Sequence, residues 1–230
     1  MFDPDIRNSE YMQVVLTHEC NRRCPFCVDH LRGAAGRLTL GQLAAALGFA
    51  RHHKIRDILF VGGEPTLHPE VVEMARLVKE HGLRLVVTTN FDLRDVVGQL
   101  MPWVDCWNFS YYGQRTVPYV DGADITLSAL IYARGFLSTR ESLDSFIDRY
   151  GDRYHLKFST LALANEYCVK FGNPGGWLDQ LPGTRRTLFD FICGQVYRGC
   201  LIKRYDIVGP QLPTLDSWKC LADGTLSRHW

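Results

Sequence analysis

The sequence predicts an α/β fold built on an open, mostly parallel sheet. Apolar strand-like runs alternate with helical patterns along the 230 residues. This alternation favours parallel strands joined by right-handed helical crossovers, and six strand–helix units are too few to close an eight-fold barrel. The expected strands are 12–17, 57–61, 84–89, 106–111, 155–163 and 201–208. The expected helices are 39–53, 69–82, 92–101, 126–137 with 140–150, and 184–197.

The element boundaries rest on residues that commonly start or end helices and turns. Thr39 suits the N-cap of the first helix, and Pro69 suits the first turn of the second. Gly82 stands where a C-cap glycine would end that second helix. Near the end of the chain, Asp223-Gly224 predicts the turn of a two-stranded hairpin.

Composition and charge narrow the class of protein. A hydrophobic content of 46% and a charged content of 22% are ordinary for a soluble globular protein. The net charge of +1 gives no sign of a nucleic-acid or anionic-membrane partner, and no apolar run approaches the ~18 residues of a membrane span. The polar N-terminus does not resemble a signal peptide, so we expect a reducing, cytoplasmic compartment. We expect one domain over 1–230, with its core at 11–210 and a C-terminal hairpin tail at 211–230.

Three cysteines stand close together after the first predicted strand. Cys20, Cys24 and Cys27 have the spacing C-x3-C-x2-C. Three thiolates on one loop can hold one face of a metal or iron–sulfur site and leave a position open. A structural zinc site needs four protein ligands, which His18 or His30 would complete. The cysteine spacing alone leaves both interpretations open.

A glycine-rich turn follows the second predicted strand, in Gly62-Gly63-Glu64-Pro65. Glycines there would let the backbone approach a ligand closely, although such pairs are also common in tight turns. Glu64 adds a carboxylate that could hold an ammonium group or interact with a helix dipole. Parallel α/β folds gather their active sites at the carboxyl ends of the strands, which is where both motifs lie.

Together, these two motifs resemble the radical S-adenosylmethionine (radical SAM) family. The aromatic Phe26 before the last cysteine is part of the resemblance, and residues 58–90 are similar to its molybdopterin- and peptide-modifying branch. The resemblance implies a partial (β/α)6 TIM-like barrel and a [4Fe–4S] cluster on the three cysteines. It also implies that SAM binds the fourth iron and that the GGEP segment contacts the methionine amino group.

The resemblance implies further SAM contacts at the strand ends. Thr89, Asn90 and Ser110 would meet the SAM ribose and carboxylate, and Asn165 would contact the adenosine. Short hydroxyls and amides can hydrogen-bond sugar oxygens without adding charge. The same residue types also cap turns, so the structural interpretation stays open at each position.

The resemblance implies a reaction but no particular substrate. In the family, the reduced cluster cleaves SAM, and the 5′-deoxyadenosyl radical abstracts a substrate hydrogen. An external one-electron donor, a flavodoxin or ferredoxin, would be needed. We expect a small molecule, nucleoside or sugar as the substrate in a biosynthetic pathway. The alternatives are modification of a ribosomal peptide, or a zinc- or iron–sulfur-binding regulatory protein without turnover.

The second half of the chain matches nothing specific, and the hypotheses there are weaker. Cys193, Cys200 and Cys220 lack a CxxC pair, so we expect buried free thiols rather than a second cluster, with Cys193 in a helix. The Gly- and Pro-rich segment 171–186 could be a lid or a surface loop. In 202–206, charged residues would reach the cavity or lie on a solvent-facing edge strand.

Aromatic residues around the fourth strand are also candidates. Tyr111, Tyr112 and Tyr119 could line the substrate cavity or donate a hydrogen atom. Aromatic side chains near a strand end more often pack than react.

Overall fold

One sheet organises the protein. The computed structural model describes residues 11–24, 26–27, 36–114, 117, 122–161, 176–183, 185–189, 192–205 and 214–229. Its strands are β1 (Tyr11–Thr17), β2 (Asp57–Gly62), β3 (Arg84–Thr89), β4 (Cys106–Tyr111), β5 (Ile125–Ile131), β6 (His155–Thr160), β7 (Arg185–Phe189), β8 (Ile192–Tyr197), β9 (Cys200–Tyr205), β10 (Thr214–Cys220) and β11 (Leu226–His229). The described helices are α1 (Leu40–His52), α2 (Val71–Glu80), α3 (Arg94–Leu100) and α4 (Arg140–Tyr150), and a 3-10 turn spans Pro65–Leu67.

The strands form one open, mostly parallel sheet. Their order is β11-β10-β1-β2-β3-β4-β5-β6-β9-β8-β7. The eight neighbouring strands from β10 to β9 are parallel, whereas β11, β8 and β7 pair antiparallel at the two edges. The order is linear, with different strands at its two ends, so the sheet is open as expected.

The helices cover one face of this sheet with an apolar core. Alternate β1 residues Met12, Val14 and Leu16 are fully buried, which is the period-two pattern of a strand with one apolar face. Thr39 caps α1 as predicted, in a capping box in which its side chain accepts from the Gln42 N–H. The apolar core therefore stabilises the sheet, so that residues at the strand ends are available for a functional site.

The segment predicted as a helix at 126–137 is not helical: residues 126–131 belong to a strand, and turns follow it. This strand is β5, in which buried and half-buried residues alternate one by one. The prediction was wrong because Leu and Ala also suit a helix, whereas strand residues gain stability from packing against cross-strand neighbours. Here β5 fits between β4 and β6.

The helix predicted at 184–197 is also wrong, because the described residues there form the antiparallel β7–β8 hairpin. Cys193 consequently lies in β8 rather than in a helix. Aromatic and β-branched residues are frequent in this segment, and they favour strands. The hairpin continues the sheet beyond β9.

The remaining strands and helices confirm the prediction within a few residues. The C-terminal hairpin is present as β10 and β11, and β10 pairs parallel with β1. The tail therefore extends the main sheet beside the strand that leads into the cysteines. None of the helices in the described part of the chain is long and apolar enough to cross a bilayer.

Candidate cofactor site

The carboxyl ends of β1 to β5 bring most of the predicted site residues to one edge of the sheet. The cysteine loop follows β1, the GGEP turn follows β2, and Asn90 follows β3. Ser110 lies near the end of β4. Asn165 lies outside the described residues.

The two glycines pack the GGEP turn against the backbone that enters the cysteine loop. The Gly63 N–H donates to the Thr17 carbonyl, and the Glu64 N–H donates to the Glu19 carbonyl, both at 2.8 Å. A Cβ on Gly62 would lie 2.2 Å from the Thr17 oxygen, and one on Gly63 would lie 2.2 Å from the Glu19 oxygen. These glycines are therefore required by a backbone–backbone contact between the two motifs.

The carboxylate of Glu64 is a buried hub of hydrogen bonds. Glu64 is only 1% exposed to solvent. Oε1 accepts from Thr66 N at 3.2 Å, Thr66 Oγ1 at 2.7 Å and Thr89 Oγ1 at 2.7 Å. Oε2 accepts from the Asn90 N–H at 2.8 Å. The carboxylate thus ties the turn after β2 to the end of β3, whereas a contact with the SAM amino group stays a prediction.

A second network joins the cysteine loop to the chain after β3. Asn90 Nδ2 donates to Asn21 Oδ1 at 2.7 Å, and Arg22 makes a two-pronged ion pair with Asp92. The Asp92 N–H also donates to Asn90 Oδ1 at 3.0 Å. The sequence gave no indication of Asp92. Only the fold shows that these residues meet, because 70 positions separate them.

The hydrogen-bonding groups of Thr89 and Asn90 are largely paired with other groups of the protein. Thr89 Oγ1 donates to Glu64 and accepts from the Phe91 N–H at 3.1 Å. Phe91 has a φ of 62°, which is uncommon for a bulky residue. Its ring packs against Trp107 and Phe109. This turn holds Asn90 beside the cysteine loop, so Thr89 acts as a positioning residue here.

The three thiols occupy a partly exposed loop. Cys20 is exposed, and Cys24 and Cys27 are half-buried. Burial raises the pKa of the Cys24 thiol, and the neighbouring Cys27 and Cys20 raise it further. Burial also raises the pKa of Cys20. The Arg22 N–H, which lies 3.4 Å from the Cys20 sulfur, acts in the opposite direction and lowers this pKa. Bound metal would reverse this balance, because a coordinating thiol is deprotonated.

The donor set fits an iron–sulfur cluster. Among the described residues, no three His, Cys, Asp or Glu side chains are grouped around one ion position. A single zinc would draw its sulfur ligands to about 2.3 Å from one point. A [4Fe–4S] cluster is held by Cys thiolates on separate irons, and the three soft thiols of this loop are ligands of that kind.

Aromatic rings flank the last part of the cysteine loop. The Phe26 ring lies 5.2 Å from that of Tyr112 and 5.4 Å from that of Tyr132. Burial raises the pKa of Tyr112 to about 12. Tyr132 was missed because its segment was predicted as a helix, whereas it directly follows β5. The period-two pattern of β5 was the signal that could have found it.

The other tyrosine hypotheses have different outcomes. Tyr111 is buried in the core, where its hydroxyl donates to the Gln114 carbonyl at 2.8 Å and its ring packs against Phe136 and Phe146. It therefore packs rather than lining the cavity. Tyr119 lies outside the described residues.

Part of segment 171–186 packs firmly. Leu178 and Leu181 are buried, and the Leu181 carbonyl accepts from Gln195 Nε2 at 2.8 Å. Residues 176–183 are therefore anchored to the body of the protein. Residues 171–175 and 184 lie outside the described part of the chain, so the lid hypothesis is not tested there.

The remaining cysteines occupy separate strands. Burial raises the pKa of Cys220 to about 11 and also raises that of Cys200. In the sheet order, six strands lie between β9, which carries Cys200, and β10, which carries Cys220. A single cluster stays a prediction.

Comparison with known proteins matches this site to a family. Residues 14–101 match the family model of the radical SAM superfamily, and this range contains the three cysteines and the GGEP turn. The match confirms the resemblance inferred from these motifs. The cofactors expected by resemblance, a [4Fe–4S] cluster and SAM, are those of this family.

A curated relative covers a similar part of the chain. A protein of Saccharolobus islandicus (strain L.S.2.15 / Lassen #1), named probable GTP 3′,8-cyclase, is 33% identical over 132 residues. The alignment covers 54% of this chain and 42% of that protein. The chain thus spans less than half the length of this relative.

Solved structures show the fold. Streptococcus suis SuiB bound to S-adenosylmethionine is 12% identical with a TM-score of 0.59, over 95% of this chain and 59% of that chain. SuiB bound to its precursor peptide SuiA gives the same identity and TM-score, over 95% of this chain and 58% of that chain. This likeness confirms the α/β fold class with a partial TIM-like barrel.

Proposed function

We propose that this protein is a radical SAM enzyme acting on a small molecule, nucleoside or sugar. The observation that carries the proposal is the contact between its two motifs. The GGEP turn is hydrogen-bonded to the backbone entering the cysteine loop, and Glu64 joins that turn to Thr89 and Asn90. Residues matched to the radical SAM model are thereby held as one unit.

In this assignment, Cys20, Cys24 and Cys27 hold the cluster. When bound, the cluster and SAM supply a 5′-deoxyadenosyl radical that abstracts hydrogen from the substrate. The role of the chain is to bind, orient and exclude water. Phe26 covers one side of the cysteine loop together with Tyr112 and Tyr132. The electron comes from an external donor, a flavodoxin or ferredoxin.

The polar face of the sheet, opposite the described helices, supports a small polar substrate. Asn108 Nδ2 donates to Thr88 Oγ1 at 3.1 Å, and Ser128 Oγ donates to Asn108 Oδ1 at 2.6 Å. This polar row crosses β3, β4 and β5 opposite the apolar core. The relative named for GTP supports a nucleotide as the first substrate to test.

The decisive experiment is SAM cleavage by anaerobically reconstituted protein with dithionite. We expect 5′-deoxyadenosine from wild type and none from the Cys20→Ala, Cys24→Ala, Cys27→Ala triple variant. Separate reactions with GTP, with a neutral nucleoside and with a short peptide measure which substrate accelerates the release. Loaded wild-type protein that forms no 5′-deoxyadenosine would contradict the proposal.

A further inference from the structure

Two lysines lie side by side on neighbouring strands far from the cysteine loop in sequence. Lys157 is in β6 and Lys203 is in β9, and these strands are parallel partners. Lys157 stands opposite Leu201, and Ser159 stands opposite Lys203. Alternate residues of a strand share a face, and directly paired residues share it too. Both lysines therefore lie on the same face of the sheet. The pair that contains Lys203 lies two residues further along the strands than the pair that contains Lys157.

This face lies opposite the described helices. Phe158 and Ile202, which alternate with the lysines, are fully buried on the apolar side. Lys157 is paired with Ser128 across the sheet, and Ser128 donates to Asn108. The lysines thus continue the polar row of the proposed substrate face.

The same row leads to the cysteine loop. Ser128 is paired with Ser110 on β4, and Tyr112, two residues beyond Ser110, contacts the Phe26 ring at 5.2 Å. The lysines and the residues beside the cysteine loop therefore lie along one face of the sheet. A substrate that reached the cluster could extend along this row to the lysines.

Neither lysine has a charged partner in the described part of the chain. No hydrogen bond or ion pair involves Lys157 or Lys203 there, whereas Lys79 is paired with Asp105 at 2.6 Å. Burial lowers the pKa of Lys157, and burial together with the charge of Lys157 lowers the pKa of Lys203 to about 7. Two half-buried cations side by side are unfavourable unless an anion joins them.

We propose that Lys157 and Lys203 bind an anionic group of the substrate, a phosphate or a carboxylate. This inference rests on the proposed function, because it takes the polar face as the substrate face. Lysine suits such a group as a compact point charge with three donors. An anion between the two ammonium groups would supply the negative charge that no described side chain provides. It would also fix the position of one end of the substrate while the other end lies near the cofactor.

The test measures anion binding by calorimetry on reconstituted protein saturated with SAM. The probes are inorganic pyrophosphate and malonate, which distinguish a phosphate from a carboxylate site. We compare wild type with Lys157→Met, Lys203→Met and the double variant. Lys54→Met removes the same charge from an exposed position after α1 and is the matched control.

We expect wild type and Lys54→Met to bind one of the probes equally. Each single variant in the pair should bind it about tenfold more weakly, as expected for loss of a charge-assisted hydrogen bond, and the double variant should show no saturable binding. SAM affinity and SAM cleavage without substrate should stay unchanged in all variants.

Three results would overturn the inference: no binding of either probe to wild type, equal binding to wild type and the double variant, or a loss of SAM affinity in the lysine variants. The last would place the SAM carboxylate, rather than a substrate group, on the lysines. Failure of the proposed function would instead appear as absent SAM cleavage in wild type, which the anion measurement does not depend on.

Discussion

At Gly63, the absence of a side chain lets two backbones meet. The position has no room for a Cβ, because the Glu19 oxygen would lie 2.2 Å away. The sequence suggested that these glycines serve a ligand. The structure shows that they allow the backbones of the two motifs to contact each other.

Gly63→Ala should therefore destabilise the protein by about 1–3 kcal/mol, the usual cost of overpacking. The measurement is urea unfolding, with iron content after reconstitution as a second readout. Gly48→Ala is the control, since Gly48 lies in α1 with nothing within 4 Å of its added Cβ, and it should stabilise by about 0.5–1 kcal/mol. Equal effects of the two substitutions would contradict this account of Gly63.

Lys203 gives a pH prediction at the same scale. Its pKa is about 7 in the folded protein against 10.5 for an ordinary lysine, so the unfolded chain binds more protons between these values. Stability contributed by this site therefore rises as pH increases from about 7 to 10.5. Lys203→Met should be more stable than wild type at pH 7, and its advantage should shrink towards pH 10. Unfolding free energies that differ by a constant amount from pH 6 to pH 10 would contradict it.

At the scale of elements, the ends of β1, β2 and β3 form one hydrogen-bonded unit. The backbone of the GGEP turn bonds to the segment after β1. The Glu64 carboxylate bonds to Thr66, Thr89 and Asn90. This unit explains how short loops can present cofactor ligands in a fixed position.

Glu64→Gln tests whether this carboxylate is structural. An amide cannot accept at both ends, so at least one buried N–H or O–H loses its partner, at a cost of about 1–3 kcal/mol. The exposed Glu73→Gln in α2 should change stability by less than about 0.5 kcal/mol. Chemical denaturation measures stability, and calorimetry measures SAM affinity. Weaker SAM binding at unchanged stability would instead place Glu64 directly on the ligand.

At the scale of the whole molecule, the sheet brings together the cysteine loop and the polar face opposite the described helices. The C-terminal β10 lies beside β1, and β9 with its lysine lies at the other side of the parallel strands. Residues from both halves of the chain are thus needed for the proposed site.

We expect this molecule to carry one cluster. Reconstituted wild type should bind about four irons per chain, as one [4Fe–4S] cluster requires. The triple alanine variant of Cys20, Cys24 and Cys27 should lose both the iron and the brown absorbance near ~400 nm. Iron analysis of Cys220→Ala is the control and should equal wild type. A count near eight that falls by half in Cys220→Ala would show a second cluster.

Local patterns were sufficient for the first half of the chain. Strong apolar strands and capped helices predicted β1 to β4 and α1 to α3, because each of these segments has a single consistent period. They failed at β5 and at the β7–β8 hairpin. Residues such as Leu and Ala at 126–131 are compatible with helix or strand, and only neighbouring strands decide between them.

The sequence by itself determined the parallel α/β class, the three-cysteine loop and the GGEP turn, because these depend on short-range spacing and periodicity. The tertiary structure decided which distant residues meet. It placed Asp92 against Arg22, Tyr132 beside Phe26, and Lys157 on the same face of the sheet as Lys203. Each of these contacts depends on strand order and register, which are set by packing across the whole sheet and have no signature in neighbouring residues.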